Sequence, residues 1–214
     1  MKYAFIFLAF AITFTTKVLA QTYSLERSEV TYTDLENDTI LSSNNWVGEL
    51  YNILLPFSIR IGNRDVNSIF LFSDGAMYRL SGGQYSSIMY AYGNCGLKQK
   101  GGDTTSHISY VVEGESPNRI AKIQFKNAGF AGDETNTDYT NFQIWFHEGG
   151  MANEIIFGPT ALNQMRAFNG AYGPLIGIGA QILRGTPSAA SLGTSFAGLN
   201  GVPSAGLKFR FFRP

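Results

Sequence analysis

Asn141-Phe142-Gln143-Ile144-Trp145-Phe146-His147-Glu148 carries an apolar side chain at every second position, with Phe142, Ile144 and Phe146 separated by Gln143, Trp145 and His147. Successive side chains of a β-strand point to opposite faces, so this period of two buries one face and leaves the other polar. A helix would need its apolar positions three and four apart. Upstream, Ala121, Ile123 and Phe125 oppose Lys122, Gln124 and Lys126, and before them Ile108, Tyr110 and Val112 share a face. The intervening residues 113–118 contain Pro117 and read as a turn. Downstream, Gly149-Gly150 breaks the strand and residues 154–157 form the next short one.

The same pattern extends to both ends. Phe57, Ile59 and Ile61 alternate with Ser58 and Arg60. Residues 69–72, Ile-Phe-Leu-Phe, are apolar throughout and predict a strand buried on both faces. Ser73-Asp74-Gly75 supplies the Asp-Gly pair of a tight hairpin, and residues 76–80 return as its partner strand. A Gly- and Tyr-rich stretch over 81–103 holds a strand through Ile88, Tyr90 and Tyr92, and residues 127–140 read as a polar, acidic loop. Ile176, Ile178, Ala180 and Ile182 alternate with Gly177, Gly179 and Gln181 and predict a further strand, while 184–205 is a loop rich in Ser, Gly and Pro. Leu207, Phe209 and Phe211 then form a last strand that should dock in a sheet; the one helix-like run is 161–168. About ten short strands with turn signals between them predict an all-β fold, a two-sheet antiparallel β-sandwich of jelly-roll or lectin-like kind. An outer-membrane barrel would need an outward apolar band and strands of about ten residues, longer than most runs here.

Residues 1–20 read as a secretory signal peptide. Lys2 precedes an apolar run over 3–14 broken only by Thr13, and Val18-Leu19-Ala20 offers the cleavage site, leaving 21–214 as a single domain. That run is short of the roughly 20 apolar residues that cross a bilayer, so no membrane span is expected. Without Lys2 and Lys17, 14 basic residues face 16 acidic ones, which gives no electrostatic footprint for nucleic acid or an anionic membrane. The lone Cys95, in Gly93-Asn94-Cys95-Gly96, makes no internal bridge, cannot serve as a lipid anchor at the cut, and has no basic neighbour to favour its thiolate. Stability therefore rests on the core, which a 194-residue domain can build by burying about 70% of its unfolded surface.

Two polar constellations stand out. Gln143, Trp145 and His147, with Glu148 at the strand end, put an aromatic platform beside amide and carboxylate groups, the combination a sugar-binding face needs. The same Trp145 is also what a covered sheet face would carry. In the acidic loop, Asp133, Glu134, Asn136 and Asp138 place oxygen ligands near calcium-loop spacing, the one cofactor the sequence suggests. Glu134 stands where a short Asp is usual, Tyr139 replaces the glycine, and no bidentate Glu follows; a solvated turn explains the loop better. No catalytic residue is assigned. Glu113, Glu148 and Glu154 are carboxylates without a spacing that makes any two face each other. Gly193-Thr194-Ser195-Phe196-Ala197-Gly198 lacks the nucleophile-elbow spacing, His107 and His147 lack zinc spacing, and Asn37-Asp38-Thr39 matches a glycosylation acceptor only by type.

Phe57-x-Ile59 through Phe70-Leu71-Phe72-Ser73-Asp74-Gly75 is followed by Ile108 to Val112, Pro117-Asn118-Arg119, Ile123-x-Phe125, Asn141 to Glu148, and Ile155-Ile156-Phe157-Gly158. In this order, and closed by Pro203-Ser204-Ala205-Gly206-Leu207-x-Phe209, these motifs resemble the exported β-sandwich modules common in Bacteroidetes-type bacteria, often attached to surface or type IX-secreted proteins. The resemblance covers most of 30–212 and implies a fold and a compartment more than an activity. Ala91-Tyr92-Gly93-Asn94-Cys95 stands where the family carries an aromatic-Asp-Asp cluster, and no sorting module follows the last strand, so roles tied to either are not expected. The expectation is a secreted, periplasmic or cell-envelope module that is non-catalytic and binds a glycan or envelope protein. The alternatives are a carbohydrate-active hydrolase using a carboxylate pair and a subunit of a larger envelope assembly.

Overall fold

In the computed structural model, residues 23–42, 44–62, 64–81, 84–93, 95–150, 152–162, 173–194 and 198–213 are described. The signal segment 1–20 and most of the helix-like run 161–168 lie outside them; Ala161 itself forms a β-bridge with Tyr139. The described residues form two antiparallel sheets. The larger has the order β1 (Ser24–Glu29), β15 (Leu207–Phe212), β11 (Ala152–Phe157), β10 (Thr140–His147), β9 (Ile120–Phe130), β8 (His107–Glu113) and β2 (Thr39–Ile40), with β7 (Leu97–Gln99) pairing the far end of β9. The smaller runs β14 (Ser191–Gly193), β13 (Gln181–Arg184), β12 (Gly177–Ile178), β6 (Gln84–Tyr90), β5 (Ala76–Ser81), β4 (Arg64–Phe72) and β3 (Leu50–Ile61).

Alternation decides which side of each strand meets the other layer. Phe142, Ile144 and Phe146 of β10 pair in register with Phe125, Ile123 and Ala121 of β9. On its other side, β10 sets Phe142 against Phe157 and Ile144 against Ile155, and Ile155 in turn meets Phe209. All of these are buried, and they join Ile59, Ile69, Leu71, Met77, Ile88 and Ile178 of the smaller sheet in one apolar cluster. Aromatic rings knit it together: Phe125 stacks on Phe142 at 4.5 Å between centroids, and Phe157 meets Phe209 edge-on at 5.9 Å. Such offset and edge-to-face pairs each add about 0.5–1.5 kcal/mol beyond the area they bury. The last strand is interior, held between β1 and β11, as a docked terminal strand requires.

Several elements differ from the sequence reading. Residues 69–72 alternate after all: Ile69 and Leu71 are buried while Phe70 and Phe72 are half-buried, because the smaller sheet is covered on one face only. Tyr92 lies beyond β6 in the left-handed region (φ 59°), fully buried, and its ring tilts onto Phe142 at 5.1 Å. The loop expected at 127–140 begins late, since β9 continues to Phe130 and takes on β7 as a partner after a left-handed Asn127. The run 176–182 is a hairpin of β12 and β13, with Gly179 at φ 57° in the turn. Gln124 and Gln143, read as wet, are buried. β1 was not legible as a strand, because its sequence Ser-Leu-Glu-Arg-Ser-Glu is that of a charged edge.

The Ser73-Asp74-Gly75 hairpin forms as expected, with Phe70 opposite Tyr78 and Leu71 opposite Met77. Gly75 has φ 84°, and a Cβ there would lie 1.9 Å from the Ala91 carbonyl oxygen, so the turn needs glycine for its conformation and for its neighbour.

Candidate functional site

The outer face of the larger sheet gathers most of the polar side chains singled out from the sequence. Strand register lines them up in rows. Lys122 of β9 lies opposite Trp145 of β10, Trp145 opposite Glu154 of β11, Glu154 opposite Arg210 of β15, and Arg210 opposite Glu26 of β1. The neighbouring row is Gln124, Gln143, Ile156 and Lys208.

The second row is covered. Residues 30–35 cross the sheet as a strap, which is why Gln143 and Gln124 are 2% and 1% exposed. Gln143 Nε2 donates to the Thr33 carbonyl at 2.7 Å and to Gln124 Oε1 at 2.9 Å, and Gln124 Oε1 also accepts from the Leu35 amide at 2.7 Å. Gln124 Nε2 donates to Asp34 Oδ1, whose other oxygen meets Lys126 Nζ at 2.7 Å. An amide side chain can donate and accept at once, so the two glutamines satisfy the strap's backbone as a sheet partner would. Beside the strap, Tyr32, Thr33, Gln143, Trp145, Ile156 and Lys208 line a cavity of about 110 Å³.

Trp145 stands at the border of the strap and is half-buried. Its Nε1 donates to Gln143 Oε1 at 2.9 Å, and Lys122 Nζ sits 4.3 Å from the ring centroid while also pairing with Glu113. The ring is thereby held in place, at a cation–π gain of about 0.5–1 kcal/mol.

Beyond Trp145 lies Glu154, only 4% exposed. Arg210 Nε is 3.0 Å from Oε1, His147 Nε2 3.4 Å from the same oxygen, and Lys208 Nζ 3.6 Å from Oε2. Burial alone would raise the Glu154 carboxyl, but the approach of His147 and the charges of Lys208 and Arg210 outweigh it and hold the group below its ordinary value. His147 continues into a second, more open basin of about 290 Å³ with Pro117, Asn118, Arg119, Ala152 and Arg210.

Glu148 forms part of that basin's wall and is already engaged. Arg119 donates through Nε at 2.9 Å and Nη2 at 2.6 Å, its backbone amide adds a bond at 3.2 Å, and Ser116 Oγ donates at 3.0 Å. The fork of Arg119 holds the Glu148 carboxyl down to about 2. Of the four residues expected to form a ligand stripe, then, Trp145 and His147 reach the surface side by side. Gln143 orients Trp145 from below, and Glu148 pins the 116–119 turn.

The acidic loop has its own internal order. Asp133 is buried; its Oδ1 accepts from the Thr135 amide at 2.9 Å and hydroxyl at 2.5 Å, and its Oδ2 from the Asp138 amide at 2.8 Å. Burial works to raise this carboxyl, but those donors hold it at about 2. Asp138 is buried, whereas Glu134 and Asn136 are exposed, and no group of three or more His, Cys, Asp or Glu gathers as a metal-binding cluster among the described residues. The candidate carboxylates Glu113, Glu148 and Glu154 are each paired with cations of their own: Lys122, Arg119 and the Lys208–Arg210 pair.

Sequence reasoning missed Lys122, Lys208 and Arg210, which were visible only as the polar half of an alternation. It also missed the strap, whose residues carry no motif. One signal was present: two glutamines at the centre of two adjacent strands, where a covered sheet needs groups that both donate and accept.

An all-β, two-layer sandwich with a preformed polar and aromatic sheet face defines a β-rich module, and no helix among the described residues is long and apolar enough to cross a membrane. The family model described as NIDO related matches residues 22–213, and the chain belongs to that family, whose domains are modules of extracellular type. No curated protein and no solved structure matches the chain.

Proposed function

We propose that the protein is an exported, non-catalytic module that binds a glycan through the outer face of its larger sheet, with Trp145 as the platform and His147 beside it. On this reading residues 1–20 are a cleaved signal peptide, 21–214 are one domain, and the protein works in the cell envelope or outside it, in a bacterial surface system of the kind the sequence resembles. The observation that carries the reading is Trp145 itself: a half-buried indole fixed by Gln143 and Lys122 between two concave basins. Rigid aromatics in a shallow polar setting give sugar-ring contact at little entropic cost. A glycan array run beside a pull-down from envelope extract tests it. Binding to a defined glycan that is lost in Trp145→Ala, with the melting temperature retained, is expected. Full binding by Trp145→Ala, or capture of an envelope protein with no glycan bound, would count against the glycan reading, and hydrolysis of a bound glycan would count against the non-catalytic one.

A structural role in a larger assembly is favoured by a different feature. Ile40, Val47, Leu50 and Leu54 are exposed, Leu54 to 72%, and Leu50 and Leu54 lie on β3, an edge strand. Sedimentation of the purified protein alone and with envelope extract separates this role from the first.

A further inference from the structure

Among the described residues, Arg210 is the cation of the outer face whose terminal nitrogens are uncommitted. Its Nε lies 3.0 Å from Glu154 Oε1, and its guanidinium carbon lies 4.5 Å from the centroid of the Phe212 ring, two residues along the same strand face. The first contact is an ion pair without a hydrogen bond, since the Nε–H is not directed at the carboxylate, and the second lays the guanidinium over the Phe212 ring. Among the described residues neither Nη1 nor Nη2 makes a hydrogen bond or ion pair. Glu26, the exposed acid opposite Arg210 on β1, forms no ion pair either. Arg210 lines the 290 Å³ basin, along with His147 and Ala152.

The other cations nearby are spoken for. Arg119 is held by Glu148 in a two-pronged pair, and Lys122 by Glu113 and the Trp145 ring. Glu154 alone faces both Lys208 and Arg210, and Glu26, opposite Arg210 on the edge strand, brings the four groups to balance. The charge of the buried Glu154 and the face of the Phe212 ring keep the guanidinium at the basin wall with Nη1 and Nη2 unpaired. A planar fork with two parallel N–H donors matches a carboxylate better than a point charge does.

We infer that this basin is a carboxylate subsite, in which Arg210 takes the acid group of a uronate-bearing oligosaccharide whose neighbouring ring lies toward Trp145. The inference rests on the glycan-binding reading above and narrows it to acidic sugars. His147 shares the wall of the basin with Arg210.

Calorimetry with tetragalacturonate and its fully methyl-esterified form is the test, because the two probes differ only in the acid groups. The wild-type protein should bind the acid form at least about tenfold more tightly, the scale of a charge-assisted fork. Arg210→Lys keeps a charge beside Glu154 and should retain the melting temperature, yet lose about tenfold for the acid form and nothing for the ester. Chemical-shift mapping on the wild-type protein, independent of any variant, should place the largest acid-dependent shifts at the Arg210 side chain and His147. Equal binding of the two probes, or an unaffected Arg210→Lys, overturns the carboxylate subsite while leaving the glycan reading intact. Binding of neutral glycans alone does the same. Loss of every glycan on Trp145→Ala together with equal probe affinities would uphold the platform and reject the fork.

Discussion

Glu148 lets a single side chain be followed to a measurable pH dependence. Its carboxyl has an ordinary value of 4.5 and is held at about 2 in the fold, chiefly by the hydrogen bonds of Arg119. A group whose folded value is depressed contributes stability that is complete above the ordinary value and is lost as pH falls toward the folded one. The melting temperature should therefore fall as pH drops from 4.5 toward about 2. Glu148→Gln should melt lower than wild type at neutral pH and show a shallower acid decline; thermal melts across that window decide it, and parallel curves would mean that the pair contributes nothing. Asp133 makes a second prediction at this scale. Both its oxygens already serve backbone and hydroxyl donors within the loop, leaving little coordination capacity for an ion. Millimolar calcium should leave the melting temperature unchanged, and a clear rise would reinstate the acidic loop as a cation site.

At the scale of elements, the strap over 30–35 and the β4–β5 hairpin depend on different devices. The strap has no apolar alternation of its own; it is held by amide groups projecting from β9 and β10. Gln143→Ala would orphan the Thr33 carbonyl and the Trp145 Nε1, at a cost of about 1–3 kcal/mol. The variant should show faster hydrogen exchange at the Leu35 amide and altered Trp145 fluorescence, with the core strands still protected. Uniform exchange across the molecule would mean that the strap is not a separable unit. The hairpin depends on Gly75. Gly75→Ala adds a positive-φ penalty to a collision with the Ala91 carbonyl, so it should lower stability by more than either effect alone, read as a large drop in the denaturation midpoint.

For the whole molecule, the core is one cluster that spans both sheets, and the aromatic stack of Tyr92, Phe125 and Phe142 lies within it. Phe142→Ala should cost about 3–5 kcal/mol and keep a single unfolding transition, since neither sheet has a second face on which to bury its apolar side. Two resolved denaturant transitions would show that the layers unfold separately. The two layers were legible in the sequence because a half-buried strand writes its own face choice into every second residue, as at 121–125, 142–146 and 207–211. The acids, amides and cations of the site were legible only as types. Nothing local distinguishes Gln143 under a strap from Gln143 in water, or Glu154 beside Arg210 from Glu154 on a bare edge.

Alternation in the chain was thus enough to specify the central strands, the two layers and the apolar residues those strands turn inward, because burial of one face is a property each strand carries alone. The pairing of Glu154 with Arg210, the latch of Gln124 and Gln143 on the strap, and the uncommitted fork above the basin were settled by tertiary structure. They join residues more than fifty positions apart in the case of Glu154 and Arg210, and about ninety in the case of Leu35 and Gln124. Their energies depend on exposure and on neighbours that strand register supplies only once the sheet is assembled.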